Sequence, residues 1–397
     1  MNSLPETHAE TKTRRAGVCL HIASLPSPYG IGQIGREARD FVATMSRMEL
    51  SVWQFLPTGP TAYGDSPYQP LSSFAGNENL IGIGELIELG LLAEDEAGEL
   101  RALPADYVDY GRLIPIKSRL LRTAAQRFDA VANDELKAAY ARFLEKNDAA
   151  WLHDYALFRI LKARHGERPW PEWHPEYVHR EREALASLEA READEIEAIK
   201  VIQFLFHDQW RQFRDYANSH GITLFGDMPI YIALDSSDAW ANREILSVDK
   251  DGNPDHVAGV PPDYFSEDGQ LWGNPLYDWE KHAADGYQWW VDRLRASAKL
   301  VDIVRVDHFR GFESYWSVAA DSETARVGSW VPGPGDGLFE AIKASLGSLP
   351  IVAEDLGVIT PEVEGLRDRH ELPGMRVLQF DVTDEGFTLA DVGENSV

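Results

Sequence analysis

The chain has 397 residues, of which 44% are hydrophobic and 26% are charged, a composition typical of a globular protein with one or two domains. Its 65 acidic and 38 basic residues give a formal net charge of -27, which disfavours nucleic acid and anionic membranes as partners and favours a neutral small molecule. Cys19 is the only cysteine, so an intrachain disulfide and a cysteine-rich zinc site are excluded.

The amino-terminal residues 1–15 are polar and charged, and we predict that they form a disordered lead. They lack the apolar core of a signal peptide, and no later segment reaches the ~18 consecutive apolar residues of a membrane span. Together with the single cysteine, these observations predict a cytoplasmic protein that does not bind membranes.

Residues 16–83 are predicted to contain the first barrel units. Apolar runs indicate strands over residues 16–25 and 51–56, and a spacing of three or four predicts a helix over residues 35–48. Residues 57–84 are rich in Pro, Gly, Ser and Asn and also contain several aromatic residues. Because long loops inside compact domains are usually functional, we expect an ordered loop that contacts the substrate.

Residues 84–220 are predicted to form a helical insertion, because their apolar residues follow a helical period and no strand pattern is convincing. The clearest period runs from Ile199 to Ala217, and Gly221 is expected to cap the end of this helix.

Residues 221–382 return to an alternation of strands and helices, and the tail 383–397 is atypical. The pattern predicts a strand ending at Asp227, a long loop to about residue 278, and then helices and strands over residues 288–299, 301–306, 338–346, 351–353 and 375–381. We therefore predict an α/β fold, a (β/α)8 TIM-type barrel. About six strand and helix units are recognisable where a closed barrel needs eight, so the barrel is expected to be incomplete at the C-terminus.

Acidic residues stand at the carboxyl ends of several predicted strands. Asp227, Asp307 and Glu354 each end or directly follow an apolar run, and Asp355 comes next to Glu354. In a parallel barrel the carboxyl ends of the strands form the active site, so we expect these acids to share one site. The alternative for Asp307 is a structural ion pair with a neighbouring arginine or histidine.

Asp307 and Glu354 are the pair that we expect to carry out chemistry. Glycoside cleavage uses two carboxyl groups, one that protonates the leaving oxygen and one that attacks or stabilises the sugar cation. Arg305 and His308 are expected to hold Asp307 ionised. Spacing alone does not separate nucleophile from acid. Asp227 is predicted to bind a substrate hydroxyl or to orient a neighbouring residue, and the alternative is a purely structural role.

Asp355 is more typical of an ion-pairing group than of a catalyst, because it would point away from Glu354 if the strand continued. No EF-hand loop and no histidine pair at helical spacing supports a metal site, so no metal and no cofactor are predicted.

The segment 257–279 contains several aromatic residues close to three prolines. Aromatic rings with polar edges suit the apolar faces and hydroxyl groups of sugars, and we expect Tyr264 and Phe265 to contact sugar. The alternative is that these rings only cover the mouth of the barrel. No phosphate-binding loop, nucleophile elbow or dinucleotide fingerprint is present in the sequence.

Several longer motifs carry a resemblance to a known family. They are Trp53-Gln-Phe-Leu-Pro, Tyr63-Gly-Asp-Ser-Pro-Tyr68, Gly226-Asp-Met-Pro-Ile230, Gly259-Val-Pro-Pro-Asp-Tyr-Phe-Ser266, Gly269-Gln-Leu-Trp-Gly-Asn-Pro275, Val306-Asp-His-Phe-Arg-Gly311 and Ala353-Glu-Asp-Leu-Gly357. From about residue 16 to residue 380 the chain resembles the 4-alpha-glucanotransferases, also called amylomaltases or disproportionating enzymes.

The resemblance implies a barrel of the alpha-amylase superfamily type and a retaining transfer of alpha-1,4-glucan segments to the 4-hydroxyl of another glucan. Asp307 would be the nucleophile and Glu354 the general acid and base, with maltooligosaccharides as partners. The resemblance implies substrate contacts at Tyr63, Asp65, Ser66, Asp227, Tyr264, Phe265, Trp272, Asn274, Arg305, His308 and Asp355.

The chain also departs from the family pattern. Family members continue to a Thr-His-Asp-Asn segment that carries a third catalytic acid, and this segment is absent from the sequence. We therefore expect exposed strand edges, poor solubility and little or no activity of the chain alone. The alternatives are an alpha-glucan hydrolase and a glucan-binding protein that lacks catalysis.

Overall fold

A computed structural model describes residues 14–263, 266–347, 351–377, 379 and 396–397. The strands are β1 Gly17–Cys19, β2 Val52–Gln54, β3 Thr223–Met228, β4 His256–Val260, β5 Gln270–Pro275, β6 Ile303–Val306, β7 Ser314–Ala319, β8 Ser329–Pro332 and β9 Ile351–Ala353. The helices are α1 Arg36–Arg47, α2 Ile83–Glu88, α3 Gly98–Arg101, α4 Tyr110–Val131, α5 Asp134–Asn147, α6 His153–Arg164, α7 Pro175–Val178, α8 Arg182–Arg191, α9 Ala193–Ser219, α10 Ser237–Ala241, α11 Trp279–Ala284, α12 Gln288–Leu300, α13 Asp336–Leu346 and α14 Pro361–Arg369.

Five strands form a parallel sheet in the order β1-β2-β3-β6-β9, which is also their order along the chain. Helices connect successive strands, with α1 between β1 and β2, α12 before β6 and α13 before β9. This alternation of parallel strands and helices confirms the predicted α/β, TIM-type architecture.

Two predicted strands differ from the observed ones. The first strand was expected over residues 16–25 but is limited to β1, because a 3-10 turn at Ile22–Ser24 follows it directly. Residues 375–377 were expected to begin a strand, but they have no strand structure, and residues 378 and 380–382 lie outside the described residues. Closure of eight strands therefore stays a prediction.

The prediction of a long loop up to residue 278 is wrong. The strands β4 and β5 lie in that segment, and together with β7 and β8 they form an antiparallel sheet in the order β5-β4-β7-β8. The strands β4 and β5 contain glycine and proline, which weaken a strand pattern. The segment forms strands because β4 pairs with β7, which is far away in the sequence, and the local sequence pattern does not indicate this pairing.

Residues 84–220 contain helices and no strand. The helix α9 ends at Ser219, and Gly221 adopts a φ of 74°, which is the left-handed conformation expected for the cap. The amide of Gly221 donates to Asn218 O at 3.0 Å, and the amide of Ile222 donates to Ala217 O at 3.0 Å. A second core combines Phe158, Trp170, Trp173 and Leu188 of this segment with Trp240 on α10.

The helix α9 also holds the loop that precedes the insertion. Its buried Gln203 forms two hydrogen bonds with the backbone of Gly76, at 2.8 and 2.9 Å. Its buried Gln209 accepts from the amide of Gly82 at 2.7 Å. Buried amides of this kind are costly unless they are paired, and these bonds anchor the loop to α9 at Gly76 and Gly82.

No helix among the described residues has the length and hydropathy that crossing a membrane requires.

Buried His282 should make the protein less stable in acid. His282 is 0% exposed, and burial lowers its pKa to about 4 from 6.5. Between pH 6.5 and pH 4 the unfolded chain therefore binds a proton that the folded chain does not, and stability falls as the pH falls. Relative to His282→Gln, the parent should lose about 2 kcal/mol more unfolding free energy between pH 7.5 and pH 5.

Urea unfolding of both proteins at the two pH values measures this difference. The matched control is His256→Gln, which changes an exposed histidine and should leave the acid sensitivity of the parent unaltered. An equal loss of stability in the parent and in the His282 variant would contradict the prediction.

Candidate active site

The structure brings the two predicted catalytic carboxylates together at the carboxyl ends of neighbouring strands. Val306 on β6 pairs with Ala353 on β9, so Asp307 and Glu354 are the next residues on two adjacent parallel strands. The amide of Glu354 donates to Val306 O at 3.0 Å. Adjacent strands lie about 4.8 Å apart, which brings the two side chains within reach of one bound sugar.

Arg305 connects two of the strand-end acids. Its Nη1 donates to Asp227 Oδ1 at 2.7 Å, and its Nη2 lies 2.7 Å from Asp307 Oδ1. The Asp227 side chain is 3% exposed, whereas that of Asp307 is 29% exposed. Asp307 is thus ion-paired and at the same time open to a ligand, so the structural ion pair and the catalytic role do not exclude each other.

Tyr68 completes this network and was not among the predicted site residues. Its hydroxyl donates to Asp227 Oδ2 at 2.8 Å. Both oxygens of Asp227 are therefore hydrogen-bonded within the protein, and Asp227 is suited to orient Arg305. Burial raises the pKa of Asp227, and Arg305 opposes that shift. Tyr68 lies in one of the quoted motifs, but the sequence does not show that its hydroxyl meets Asp227 on β3 after folding.

Glu354 has the environment of a general acid. Its carboxyl oxygens accept the amide of His308 at 2.7 Å and the amide of Leu356 at 2.9 Å. Burial, followed by the charge of Asp307, raises the pKa of Glu354, while Arg305 and the two amides oppose the rise. A carboxyl group with a raised pKa keeps its proton longer as the pH increases and can donate it to a leaving group.

The prediction that His308 helps to hold Asp307 ionised is wrong. Burial and the charge of Arg310 lower the pKa of His308 to about 3, so the imidazole is neutral near pH 7. Within the described ranges, the cation that pairs with Asp307 is Arg305. His308 adopts a φ of 54° where the chain leaves β6, and its ring meets the edge of Trp272 with 4.8 Å between ring centroids. His308 and Trp272 therefore form one wall beside Asp307.

Two predicted substrate contacts are already engaged within the protein. Asn274 on β5 donates to Ile232 O at 2.8 Å and accepts from Gln69 at 3.2 Å. The Asp355 side chain is 7% exposed, pairs with Arg367 and accepts the amide of Met375 at 2.7 Å. These contacts favour an anchoring role for Asn274 and the ion-pairing alternative for Asp355.

The remaining predicted contacts lie in two loops. The Tyr63 side chain and residues 264–265, which include the predicted Tyr264 and Phe265, lie outside the described part of the structure. Ser66 accepts the amide of Tyr68 at 3.3 Å and so shapes the loop. Asp65 lines a neighbouring cleft of about 490 Å³, whose lining residues do not include Asp307 or Glu354.

Tyr68→Phe should slow catalysis without unfolding the protein. The variant keeps the ring but leaves Asp227 Oδ2 without its donor, and an unpaired buried acceptor costs about 1–3 kcal/mol. Because Asp227 holds Arg305, we expect kcat to fall roughly tenfold. The measurement is the initial rate of glucan transfer together with the melting temperature.

The control for this change is Tyr140→Phe. It removes a hydroxyl that donates to Glu197 at 2.8 Å on the helical insertion, far from the strand ends in the fold. It should leave kcat unaltered. A Tyr68 variant with the parental kcat would exclude a role for this hydroxyl in the site.

A TIM-type parallel sheet with two carboxyl groups at the ends of adjacent strands, and an aromatic wall beside them, defines the class of barrel enzymes that act on glycosidic bonds. A family model described as 4-alpha-glucanotransferase matches residues 20–397. The chain belongs to this family and is by family a glycosyl-transferring enzyme. The match runs through residues 383–397, which we expected to depart from the family pattern.

Individual relatives agree with the family. The chain is 47% identical over 371 residues to a 4-alpha-glucanotransferase from Thermus thermophilus, covering 94% of this chain and 73% of the relative. It is 47% identical over 372 residues to a 4-alpha-glucanotransferase from Streptococcus pneumoniae serotype 4, covering 93% of this chain and 73% of the relative.

Solved structures show the same fold. An amylomaltase from Streptococcus agalactiae, solved in complex with acarbose, superposes with a TM-score of 0.90 at 38% identity, covering 96% of this chain and 77% of that chain. An amylomaltase from Corynebacterium glutamicum superposes with a TM-score of 0.79 at 19% identity, covering 96% of this chain and 54% of that chain. At that lower identity the likeness concerns the fold alone.

Proposed function

We propose that this chain transfers segments of alpha-1,4-glucans by a retaining mechanism in which Asp307 is the nucleophile and Glu354 is the general acid and base. The observation that supports the proposal is the register of β6 and β9, in which Val306 pairs with Ala353, so Asp307 and Glu354 follow the carboxyl ends of two adjacent parallel strands. Retaining glycosidases need such a pair at about 5–5.5 Å, close to the spacing of adjacent strands.

In the first step the Asp307 carboxylate attacks the anomeric carbon of the bound glucan. The bond from that carbon to the leaving 4-oxygen breaks, and Glu354 donates its proton to this oxygen. The product is a glycosyl ester on Asp307 with an inverted anomeric centre. The raised pKa of Glu354 favours this step, because the group must be protonated when the sugar binds.

In the second step Glu354, now ionised, removes the proton from the 4-hydroxyl of an acceptor glucan. The acceptor oxygen attacks the anomeric carbon, and the carboxylate of Asp307 leaves. Two inversions restore the original configuration. Arg305 is suited to both steps, because it can stabilise Asp307 as a free carboxylate before attack and after departure.

Transfer exceeds hydrolysis only when an acceptor glucan reaches the ester before water does. We propose that the loop with Tyr264 and Phe265 covers the acceptor and limits access of water, as the family resemblance implies. A related hydrolase remains the second candidate, since the same two carboxyl groups would serve both reactions.

The test is incubation with maltotriose. Disproportionation yields glucose together with longer oligomers, whereas hydrolysis yields shorter sugars only and raises the number of reducing ends. Binding of maltooligosaccharide without turnover, unchanged by Asp307→Asn, would overturn the proposal and favour a glucan-binding protein. Robust disproportionation would support the proposed function and would overturn the expectation that the chain alone has little or no activity.

We further propose that the five parallel strands belong to a (β/α)8 barrel and that the acarbose-like and maltooligosaccharide ligands of the family bind at its carboxyl end. A cytoplasmic location stays a prediction. The segment boundaries at residues 15, 83, 220 and 382 are likewise proposals, and limited proteolysis followed by mass spectrometry would locate the boundaries that are accessible.

A further inference from the structure

Arg293 on α12 is a buried cation that the proposed chemistry does not use. It is 3% exposed, and its charge opposes the rise that burial causes in the pKa of Asp238, but no ion pair joins it to a carboxylate among the described residues. A buried charge is costly unless hydrogen bonds or a function compensate it. The hydrogen bonds of its guanidinium group are therefore expected to compensate this cost.

The guanidinium group of Arg293 binds the backbone that follows β3. Its Nη2 donates to Pro229 O at 2.6 Å, and its Nη1 donates to Ile230 O at 2.9 Å. The hydroxyl of Tyr277 accepts from Nη1 at 3.3 Å and donates to Ile230 O at 2.9 Å. One side chain thus fixes two successive carbonyl groups and is supported by a second side chain.

These carbonyl groups need such partners because the chain leaves the sheet at this point. The strand β3 ends at Met228, and Pro229 has no amide hydrogen with which to continue the ladder. We call residues 229–232 the exit segment. Three side chains from outside β3 hydrogen-bond to the carbonyl groups of its residues 229, 230 and 232. They are Arg293, Tyr277 and Asn274.

The exit segment lies close to Asp227 and to the turn that follows Asp307. It begins two residues after Asp227, whose carboxylate holds Arg305. A Cβ atom added to Gly311 would lie 2.8 Å from Ile230 Cδ1, so the exit segment packs closely against the turn that follows Asp307. A shift of the exit segment would therefore move the residues that orient Asp307.

The aromatic wall depends on the same segment. The ring of Tyr231 lies 6.3 Å from that of Trp272, which in turn meets His308 at 4.8 Å. Arg293 itself is held in one orientation, because its guanidinium carbon lies 5.4 Å from the ring centre of Trp289 and 5.0 Å from that of Trp290. The guanidinium group of Arg293 is therefore fixed, and the exit segment that it binds lies next to the wall of His308 and Trp272.

We propose that Arg293 is a positioning residue for glucan transfer: it holds the exit segment in place, so that Asp227, Arg305 and the wall of His308 and Trp272 keep the geometry that Asp307 needs. The inference rests on the proposed function for the role of Asp307. In this proposal Arg293 does not contact the substrate and acts through the residues that it positions.

The experiment compares Arg293→Ala, Arg293→Lys and Tyr277→Phe with the parent. We expect Arg293→Ala to lower kcat for maltotriose transfer roughly 30- to 100-fold with KM changed less than about threefold, since small misplacements at a site cost factors of this size. Lysine cannot reach both carbonyls in the planar geometry of arginine, so Arg293→Lys should restore only part of kcat. Guanidinium ion at millimolar concentration should partly restore the alanine variant.

Tyr277→Phe keeps the buried ring and removes only the hydroxyl, so it provides a variant that folds if Arg293→Ala does not. We expect it to lower kcat about fivefold. Hydrogen exchange supplies a readout without activity: in all three variants the amides of the exit segment and of residues 309–312 should exchange faster, while those of β1 and β2 stay protected.

The matched control is Leu188→Ala, which removes a buried side chain from the second core. It should lower the melting temperature without altering kcat. The proposal is overturned if the Arg293 and Tyr277 variants lose no more kcat than this control, or if exchange rises evenly across the sheet. A parent without transfer activity would instead contradict the proposed function, and the exchange experiment would still test whether Arg293 holds the exit segment in place.

Discussion

Asp307→Asn is expected to abolish glucan transfer, with kcat reduced roughly 10⁴-fold or more, as when the nucleophile of a covalent mechanism is removed. The amide cannot attack the anomeric carbon, and it no longer forms the ion pair with Arg305 at 2.7 Å. Substrate binding should survive, because the side chain keeps its size and the wall of Trp272 and His308 is untouched. Maltotriose turnover and calorimetric affinity for acarbose measure the two effects separately.

The control for this variant is Asp302→Asn at the other end of the same strand. Asp302 binds Arg214 at 2.8 Å and the amide of Leu224 at 2.8 Å, so its replacement should lower stability. It should leave kcat within about threefold of the parent, because Asp302 lies at the amino end of the sheet. An Asp307 variant that retains a tenth of the parental kcat would exclude the nucleophile assignment.

Glu354→Gln should lower the rate of maltotriose transfer roughly 10³-fold, within the range for loss of a general acid. The loss should be much smaller in the first step with an alpha-maltosyl fluoride donor, because fluoride leaves without protonation. Added azide should then react with the glycosyl ester, since azide needs no general base. The azide product should have the alpha configuration, because two inversions occur at the anomeric carbon.

The stereochemistry separates the two roles. A variant without its nucleophile, such as Asp307→Gly, allows azide to attack directly and should yield the beta product from the alpha fluoride by a single inversion. A beta azide from Glu354→Gln would therefore reverse the assignment of the two residues. Glu313→Gln serves as the control, since Glu313 binds Ser314 at 2.5 Å outside the predicted catalytic pair and should not change the product.

Features that depend on neighbouring residues in the chain were predictable. The helical period and the Gly221 cap predicted the end of α9, because capping is decided by a few consecutive residues. The acids after apolar runs predicted a shared site, because parallel strands end at the same edge of a sheet. The pair Asp307 and Glu354 was found in this way from the sequence.

Features that depend on distant partners were not predictable. The pairing of β4 with β7 involves segments far apart in the sequence, and glycine and proline obscure the strand pattern in between. Tyr68 lies in a recognised motif, yet its partner Asp227 is 159 residues away in the sequence, and the two meet only after folding. His308 was expected to be charged, and burial makes it neutral.

The sequence alone determined the kind of chain that this is: alternating strands and helices, a helical insertion, and carboxyl groups at strand ends in motifs of one enzyme family. Only the tertiary structure decided which groups act on each other, namely Tyr68 and Arg305 on Asp227, the buried His308, and Arg293 on the exit segment. The physical reason is that hydrophobic period and capping are local, whereas burial and hydrogen-bond partners are set by residues that meet only after folding.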